Sequence, residues 1–486
     1  MTPLPDGFGI ELDRSVRRFQ EGSVLVGGHP GRLITLSRDG VAALAALLSD
    51  GALLSDGALP AGARELGGRL VEAGIAHPRW AGAGRTAVRR NVTVVVPARD
   101  RAAELDRCLA SLALGADVLV VDDASADPES VARVCAHHGA RVIRRTVNGG
   151  PAAARNAALG AVATELVAFV DSDCTVTPGW LDRLLPLFED PTIGAVAPRI
   201  RPRPGIPADG SVLGRYADGR SCLDLGAEPS EVGPERQVRY VPTAALVVRR
   251  SALPGGFDPD LSIGEDVDLV WRLTAGGWRV RYEPSVVVHH SEPGSWKGLL
   301  GRRFRYGTSA GPLARRHGAR LAPVELRPWP TLVATAVLTG HAAVAVAGLA
   351  ASTVALDRST GGRGIPLAQS LRWSAGGAGW TLVGIGRAAT MLGGPAVVAA
   401  ALLGRRGRRA SALLVLAPPA VEWWRRGPRL DPVRWTLASV ADDVAYGAGV
   451  WAGCLASRTL VPLVPSVRWS GASAPLASDS SRTAAD

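Results

Sequence analysis

Leu166-Val167-Ala168-Phe169-Val170 runs straight into Asp171-Ser172-Asp173, and that junction decides how the chain reads. Five consecutive apolar residues describe a strand buried on both faces, as in the parallel sheets of α/β domains. Two carboxylates where such a strand stops lie on the carboxyl edge of an open sheet, the place where such sheets bind ligands. A pair of this kind can hold a divalent cation against a diphosphate. The same Asp-x-Asp spacing also occurs in plain surface turns, so its neighbours decide its meaning.

Working outward, this strand is the fourth of a series. Val92-Thr93-Val94-Val95-Val96, Val118-Leu119-Val120-Val121 and Arg141-Val142-Ile143 precede it, separated by helical patterns over 101–113, 128–138 and 151–163. Strand and helix in alternation predict a parallel sheet with right-handed crossovers. The first strand ends in Pro97-Ala98-Arg99-Asp100 and the second in Asp122-Asp123-Ala124-Ser125, so acceptors for a nucleotide's base and ribose gather on one edge. Asp100 and Ser125 would serve equally as helix caps.

Asn148-Gly149-Gly150-Pro151 then opens an alanine-rich helix whose amino terminus would attract phosphate. Arg155, one turn along, would contact an oxyanion or brace Asp171. The glycines match neither GxGxxG nor a P-loop, which speaks against dinucleotide dehydrogenases and P-loop kinases. On this edge Asp173 is expected to reach Mg2+ or Mn2+ bridging two phosphates, and Asp171 to contact the ribose or a metal-bound water. Cys174 is expected to pack, because a thiolate suits a hard cation poorly.

Glu265-Asp266 opens an amphipathic helix after Gly264. One of the two carboxylates can take the proton from an acceptor hydroxyl, with Asp266 the first candidate and Glu265 the second. The competing reading is a pair of acids placed at a helix amino terminus by the dipole. Strand Ser285-Val286-Val287-Val288 leads to His289-His290; either histidine could complete a metal shell, and His289 is read as the ligand or phosphate contact. The basic run Arg302-Arg303-Phe304-Arg305-Tyr306 would close over a diphosphate or bind lipid.

Pro97-x-Arg99-Asp100, Asp122-Asp123-x-Ser125, Gly150-Pro151-x-x-x-Arg155-Asn156, Asp171-x-Asp173 and Glu265-Asp266 stand in the order found in family 2 glycosyltransferases of the GT-A fold. The resemblance covers 91 to about 310. It implies uracil and ribose contacts at Asp123 and Asp171, metal at Asp173 and a base at Asp266. Leu4-Pro5-Asp6-Gly7-Phe8, Arg281-Tyr282-Glu283-Pro284 and Asp442-Asp443-Val444-Ala445-Tyr446-Gly447-Ala448-Gly449 extend the likeness to members that join a peptide-chaperone-like amino end to this domain. Such members imply UDP-glucose as donor, a redox cofactor made from a ribosomal peptide as acceptor, through a tyrosine-derived phenol first and a sugar hydroxyl later, and a short β-1,4-glucan as product. Processive synthases of the family carry Gln-x-x-Arg-Trp, and the nearest string here, 302–306, lacks both the glutamine and the tryptophan.

The flanks complete the architecture. Residues 1–85 hold short alternating runs broken by glycine and then helical spacing over 41–48 and 63–73, a small α+β, winged-helix-like module. Asp13-Arg14-Ser15-Val16-Arg17-Arg18, Val26-Gly27-Gly28-His29-Pro30 and Arg32-Leu33-Ile34-Thr35-Leu36 resemble leader-recognition domains, implying a precursor peptide or pathway enzyme as partner. A second, α/β domain is expected over 91–320 and an apolar helical, membrane-associated region over 325–460, with a disordered tail over 465–486. No residue from Trp329 to Leu356 is formally charged, a length that could span a bilayer with His341 as its interruption. Later apolar runs, broken by arginines, read as interfacial or hairpin helices.

In 486 residues with 47% apolar content, the net charge of +11 is carried almost wholly by arginine. The arginine clusters, such as 405–409, flank apolar runs and so favour a membrane surface over a nucleic acid. No basic stretch followed by an apolar core opens the chain, so the catalytic face is expected on the cytoplasmic side of the cell membrane. Five cysteines without metal spacing suit reduced thiols. Asp442-Asp443 reads either as an ion pair with Arg434 or a neighbour, or as part of an acceptor channel.

Overall fold

The computed structural model describes residues 2–49, 59–80, 91–112, 117–204 and 210–469. The amino-terminal module runs β1 (Phe8–Leu12), β2 (Arg17–Phe19), β3 (Val24–Gly27), β4 (Arg32–Thr35), α1 (Arg38–Leu48), α2 (Ala63–Glu72) and β5 (Ala76–Trp80). β2, β3 and β4 form an antiparallel meander, and β5 returns to pair with β1. Ser37 caps α1 by accepting from the Gly40 amide at 3.1 Å. Residues 50–58 and 81–90 lie outside the described residues.

The α/β domain follows as β6 (Val92–Ala98), α3 (Ala102–Leu112), β7 (Asp117–Asp123), α4 (Pro128–His137), β8 (Arg141–Arg145), α5 (Gly150–Leu159), β9 (Leu166–Val170), β10 (Cys174–Val176), α6 (Trp180–Leu184), β11 (Ile193–Pro202), α7 (Val212–Arg220), β12 (Ser230–Val232), β13 (Ala245–Arg249), α8 (Glu265–Ala275) and β14 (Arg279–His290). Its sheet runs β10-β14-β11-β13-β9-β6-β7-β8, with β12 beside β14. The expected parallel block is β9-β6-β7-β8, so the ends of those strands share one edge. Beyond β9 the sheet turns mixed, because β13 is antiparallel to both β9 and β11. Val94, Val96, Ala168 and Val170 face one core layer while Val95, Val167 and Phe169 face the other, which is why these strands are apolar on both sides. The first layer is continuous with the core of the amino-terminal module. Arg236 fastens the two further, donating to the carbonyls of His29 at 2.8 Å and Glu72 at 3.1 Å.

The carboxyl-terminal region comprises α9 (Trp296–Thr308), α10 (Ala310–His317), β15 (Glu325–Leu326), α11 (Pro328–Thr339), α12 (Ala342–Thr360), α13 (Leu367–Leu392), α14 (Gly394–Leu402), α15 (Arg405–Arg426), α16 (Pro432–Ser457) and β16 (Ser466–Val467). The uncharged run from Trp329 is therefore not one span. Gly340, at φ 77°, ends α11 in the left-handed conformation and His341 starts α12. Among the described residues α12 alone is long and apolar enough to cross a bilayer, and α13 with α14 forms a pair bent by 103°. Part of the expected tail is also ordered, since β16 pairs with β15, while 470–486 lies outside the described residues.

α16 lies against α9 backbone to backbone. A Cβ on Gly449 would fall 1.9 Å from the Phe304 carbonyl oxygen, one on Gly453 2.2 Å from that of Thr308, and one on Gly307 2.2 Å from that of Tyr446. Only glycine permits this approach.

Candidate active site

Three parallel strands deliver acids to one edge, and each acid meets a different partner. At the end of β6, Asp100 adopts φ 54°. Its amide donates to Ser125 Oγ at 3.0 Å and its carboxylate accepts from the Ala126 amide at 2.6 Å. Ala124, between them in the chain from β7, is also left-handed at φ 59°. Strained residues at two adjacent strand ends mark a loop shape that the surroundings enforce. Asp100 and Ser125 thus lock two edge loops together, which is a different role from capping a helix. Pro97 is half-buried in β6, and Arg99 stands half-exposed with its Nε 3.4 Å from Asp100.

Asp122 and Asp123 are both buried and both spoken for. β8 lies beside β7 with Arg144 opposite Asp122 and Arg145 opposite Asp123, and each arginine pairs with the acid it faces. Asp122 also accepts from the Ser125 amide at 2.9 Å. It shapes the loop from inside and is not presented to a nucleotide. Asp123 accepts from the Gly149 amide at 3.1 Å and the Gly150 amide at 2.7 Å. The amino terminus of α5 therefore already holds an anion, and it is a carboxylate. Gly150 is corrected accordingly, from a phosphate donor to the group that fixes Asp123.

Arg155 is the centre of the arrangement. Only 2% exposed, it donates from Nη2 to Asp171 at 2.7 Å and from Nη1 to Glu265 at 2.9 Å. Its guanidinium also lies 5.3 Å from the Phe257 ring centroid. Asn156 clamps the Phe257 backbone from both sides, donating to the carbonyl at 2.7 Å and accepting from the amide at 2.8 Å. One buried cation thus joins the end of β9 to the start of α8.

Gly264, at φ 88°, makes the turn that starts α8 and sets Glu265 and Asp266 in its first turn. Asp266 accepts from the Val267 amide at 2.8 Å. Burial, and then the charge of Glu265 beside it, push its carboxyl up to about 7. Asp171 is also raised, by burial and by Asp173, against the pull of Arg155. Asp268, two residues on, is structural: it binds Arg272 at 2.7 Å and His317 at 2.9 Å.

Asp173 is partly open. Arg101 donates to one of its oxygens at 3.0 Å, and His290 Nε2 stands 3.6 Å from the other. His289 points elsewhere, its Nδ1 3.3 Å from the Pro202 carbonyl oxygen. Alternation along β14 gives the two histidines opposite faces, so the imidazole beside Asp173 belongs to His290 and not His289. Among the described residues no three His, Cys, Asp or Glu side chains converge as a ready-made metal cage. A carboxylate oxygen and an imidazole beside a second, electrostatically raised carboxylate nevertheless suit Mg2+ or Mn2+ whose other positions are filled by substrate oxygens.

Arg302 and Arg303 do not close over this edge. Arg302 pairs with the buried Glu292, which also accepts from Ser221 Oγ at 2.7 Å, and Arg303 binds Asp442 at 2.7 Å. Arg220 binds Glu422 at 2.9 Å, Asp442 at 2.8 Å and Asp443 at 2.9 Å, and Arg387 lies 3.4 Å from Asp443. Asp442 and Asp443 are therefore paired, but with Arg220, Arg303 and Arg387; Arg434 lies beside Asp431. Tyr240, on the surface, and the partly buried Tyr306 are both near enough to feel the Asp266 charge, and in Tyr306 burial and that charge together raise the phenol.

The family comparison follows this geometry. The glycosyl transferase family 2 model matches residues 93–219, and that of glycosyl transferase family group 2 matches 166–424. The pre-mycofactocin glycosyltransferase of Mycobacterium tuberculosis, in strains CDC 1551 and H37Rv, is 38% identical over 494 aligned positions that cover 96% of this chain and 99% of the relative. The chain belongs to the pre-mycofactocin glycosyltransferases of glycosyl transferase family 2. A mannosyltransferase from Pyrobaculum calidifontis, solved with GDP-Man and Mn2+, aligns at a TM-score of 0.37 and 22% identity, covering 69% of this chain and 87% of that one. As a family 2 glycosyltransferase, this protein uses an α/β GT-A-like domain, and the family group match runs on beyond it into α15.

Arg101, Arg144, Arg145 and Glu292 join the residues expected from the sequence, and of the two histidines it is His290 that stands beside Asp173. Arg144-Arg145 was legible, because the strand after Asp122-Asp123 ends in two arginines at the same register. Nothing local in the sequence marks Glu292.

Proposed function

We propose that this glycosyltransferase moves glucose from UDP-glucose onto a redox cofactor derived from a ribosomal peptide, of the pre-mycofactocin kind, with inversion at the anomeric carbon. The observation that carries the reading is Asp266, a carboxyl raised to about 7 at the head of α8 and tied through Glu265 and Arg155 to Asp171. A base poised near neutrality is what removal of a hydroxyl proton asks for.

Arg155 holds the donor edge and the base in one frame. Asp171 and Asp123, fixed by Arg155 and by the α5 amides, are set to receive ribose and uracil. Asp266 takes the proton as the acceptor oxygen attacks the anomeric carbon from the side opposite the diphosphate, and the bond to UDP breaks. Asp173, with His290, would hold Mg2+ or Mn2+, which supplies positive charge to the departing diphosphate. No second protein acid is then required, in contrast to glycoside hydrolases. Tyr240 and Tyr306 offer aromatic surfaces beside Asp266 for the phenol of the first acceptor or the sugar of a later one, giving a short β-1,4-glucan.

The amino-terminal module is assigned to a precursor peptide or a pathway enzyme, and the helical region to the cytoplasmic face of the cell membrane. Of the large apolar side chains exposed among the described residues, all but Val142, Val147, Tyr240 and Phe304 lie at or beyond Trp329. That concentration also favours the second reading, a lipid-linked or polysaccharide acceptor.

Mass spectrometry separates the two. Purified protein with a panel of nucleotide sugars, Mn2+ or Mg2+, and both acceptor types is expected to add hexose to the peptide-derived phenol from UDP-glucose, and chelation with EDTA is expected to stop it. Transfer to an isoprenoid phosphate alone would overturn the acceptor.

A further inference from the structure

The turn between α14 and α15 has features that the sugar-transfer centre does not use. The two helices form a tight hairpin: a Cβ on Gly407 would stand 1.9 Å from the Ala400 carbonyl oxygen, and Ser411 Oγ donates to the Val397 carbonyl at 2.8 Å. Packing this close fixes the tip. At the tip Leu402 and Leu403 are 81% and 82% exposed, and Val398, one turn earlier, is 64% exposed. Directly after them come Arg405, Arg406, Arg408 and Arg409, all exposed. No carboxylate among the described residues forms an ion pair with any of the four.

Apolar groups held out on a rigid turn, with uncompensated cations immediately beside them, match the boundary between acyl chains and anionic headgroups. A second copy of the chain is a poor occupant. Two tips meeting symmetrically would bring eight arginines together with no acid to offset them.

We propose that this hairpin tip anchors the protein to an anionic phospholipid leaflet, Leu402 and Leu403 entering the acyl region while Arg405, Arg406, Arg408 and Arg409 hold phosphate headgroups. The inference deepens the membrane association proposed above by naming the element that makes contact. The helix that leads into the tip, α14, is nine residues long and turns by 103° from α13.

The test is co-sedimentation of the full chain with vesicles of equal parts phosphatidylglycerol and phosphatidylcholine, against phosphatidylcholine alone. The parent is expected to partition onto the anionic vesicles and to be released by salt. Replacing the four arginines by Gln should weaken partition by about fivefold for each arginine removed. L402S/L403S should weaken it by about tenfold or more. Both variants should transfer sugar to a soluble acceptor at the parental rate, which shows that they are folded and keeps the test separate from the catalytic reading. Parental vesicle binding in both variants would overturn the assignment of the tip, leaving membrane association to another face. A parent that ignores vesicles and forms a dimer dissociated by L402S/L403S would overturn it in favour of contact between copies.

Discussion

Two buried arginines organise this molecule, and they keep opposite electrostatic accounts. Arg155 stands between Asp171 and Glu265, with Asp173 and Asp266 in the same neighbourhood. Arg220, Arg303, Arg387 and Arg426 together face Glu422, Asp442 and Asp443. In the second cluster every carboxylate is matched by arginine, and the pairs tie α7, α9, α13, α15 and α16 into one block. The first is short of cations, and burial together with the neighbouring Glu265 charge raises the Asp266 carboxyl to about 7. A balanced cluster holds structure; an unbalanced one is ready to accept a proton or a cation.

The largest effect that would break this contrast is on turnover. Asp266→Asn is expected to lower kcat by about 100- to 10,000-fold with the fold intact, read by single-turnover product formation. If activity survives, the unbalanced cluster contains no base. Next, Arg220→Ala should destabilise the protein by about 3–5 kcal/mol, since it strands buried carboxylates, measured by denaturant midpoint.

A third measurement sharpens the contrast through pH. The folded-state value of Asp266 lies above its ordinary 3.8, so the folded protein holds an extra proton between about pH 4 and 7. The stability this contributes is complete below about 4 and is lost as pH rises through 7. Asp266→Asn should therefore be the more stable protein at pH 8, on the order of a few kcal/mol, and should lose that advantage at pH 4. The parental rate should rise through pH 7 as the base ionises. The smallest effect distinguishes neighbours: His290→Ala should weaken activation by Mn2+ by about tenfold, whereas His289→Ala should leave it unchanged.

How much of this was legible follows from what each feature depends on. The strand ends at 97–100, 122–125 and 171–173 could be read, because strands buried on both faces are uninterrupted apolar runs and their termini stand out. What those acids touch could not be read so directly, since Asp123 occupies the very helix terminus that the glycines seemed to leave for phosphate. The choice between His289 and His290 depends on the phase of β14, whose register against β11 shifts between Pro198 and Arg199. No local pattern carries that phase. The Arg220 cluster joins side chains more than 200 positions apart, out of reach of any motif. The break at Gly340-His341 was legible as a helix stop, and the absence of charge drew attention away from it.

The glycine seam between α9 and α16 adds a mechanical consequence. With no side chains between them the two backbones have no cushion to slide on, so the helix bearing Arg302 and Arg303 travels with the long apolar helix as one strut. Because Arg302 pairs with Glu292 just beyond β14, the same strut also holds the end of the strand that carries His290.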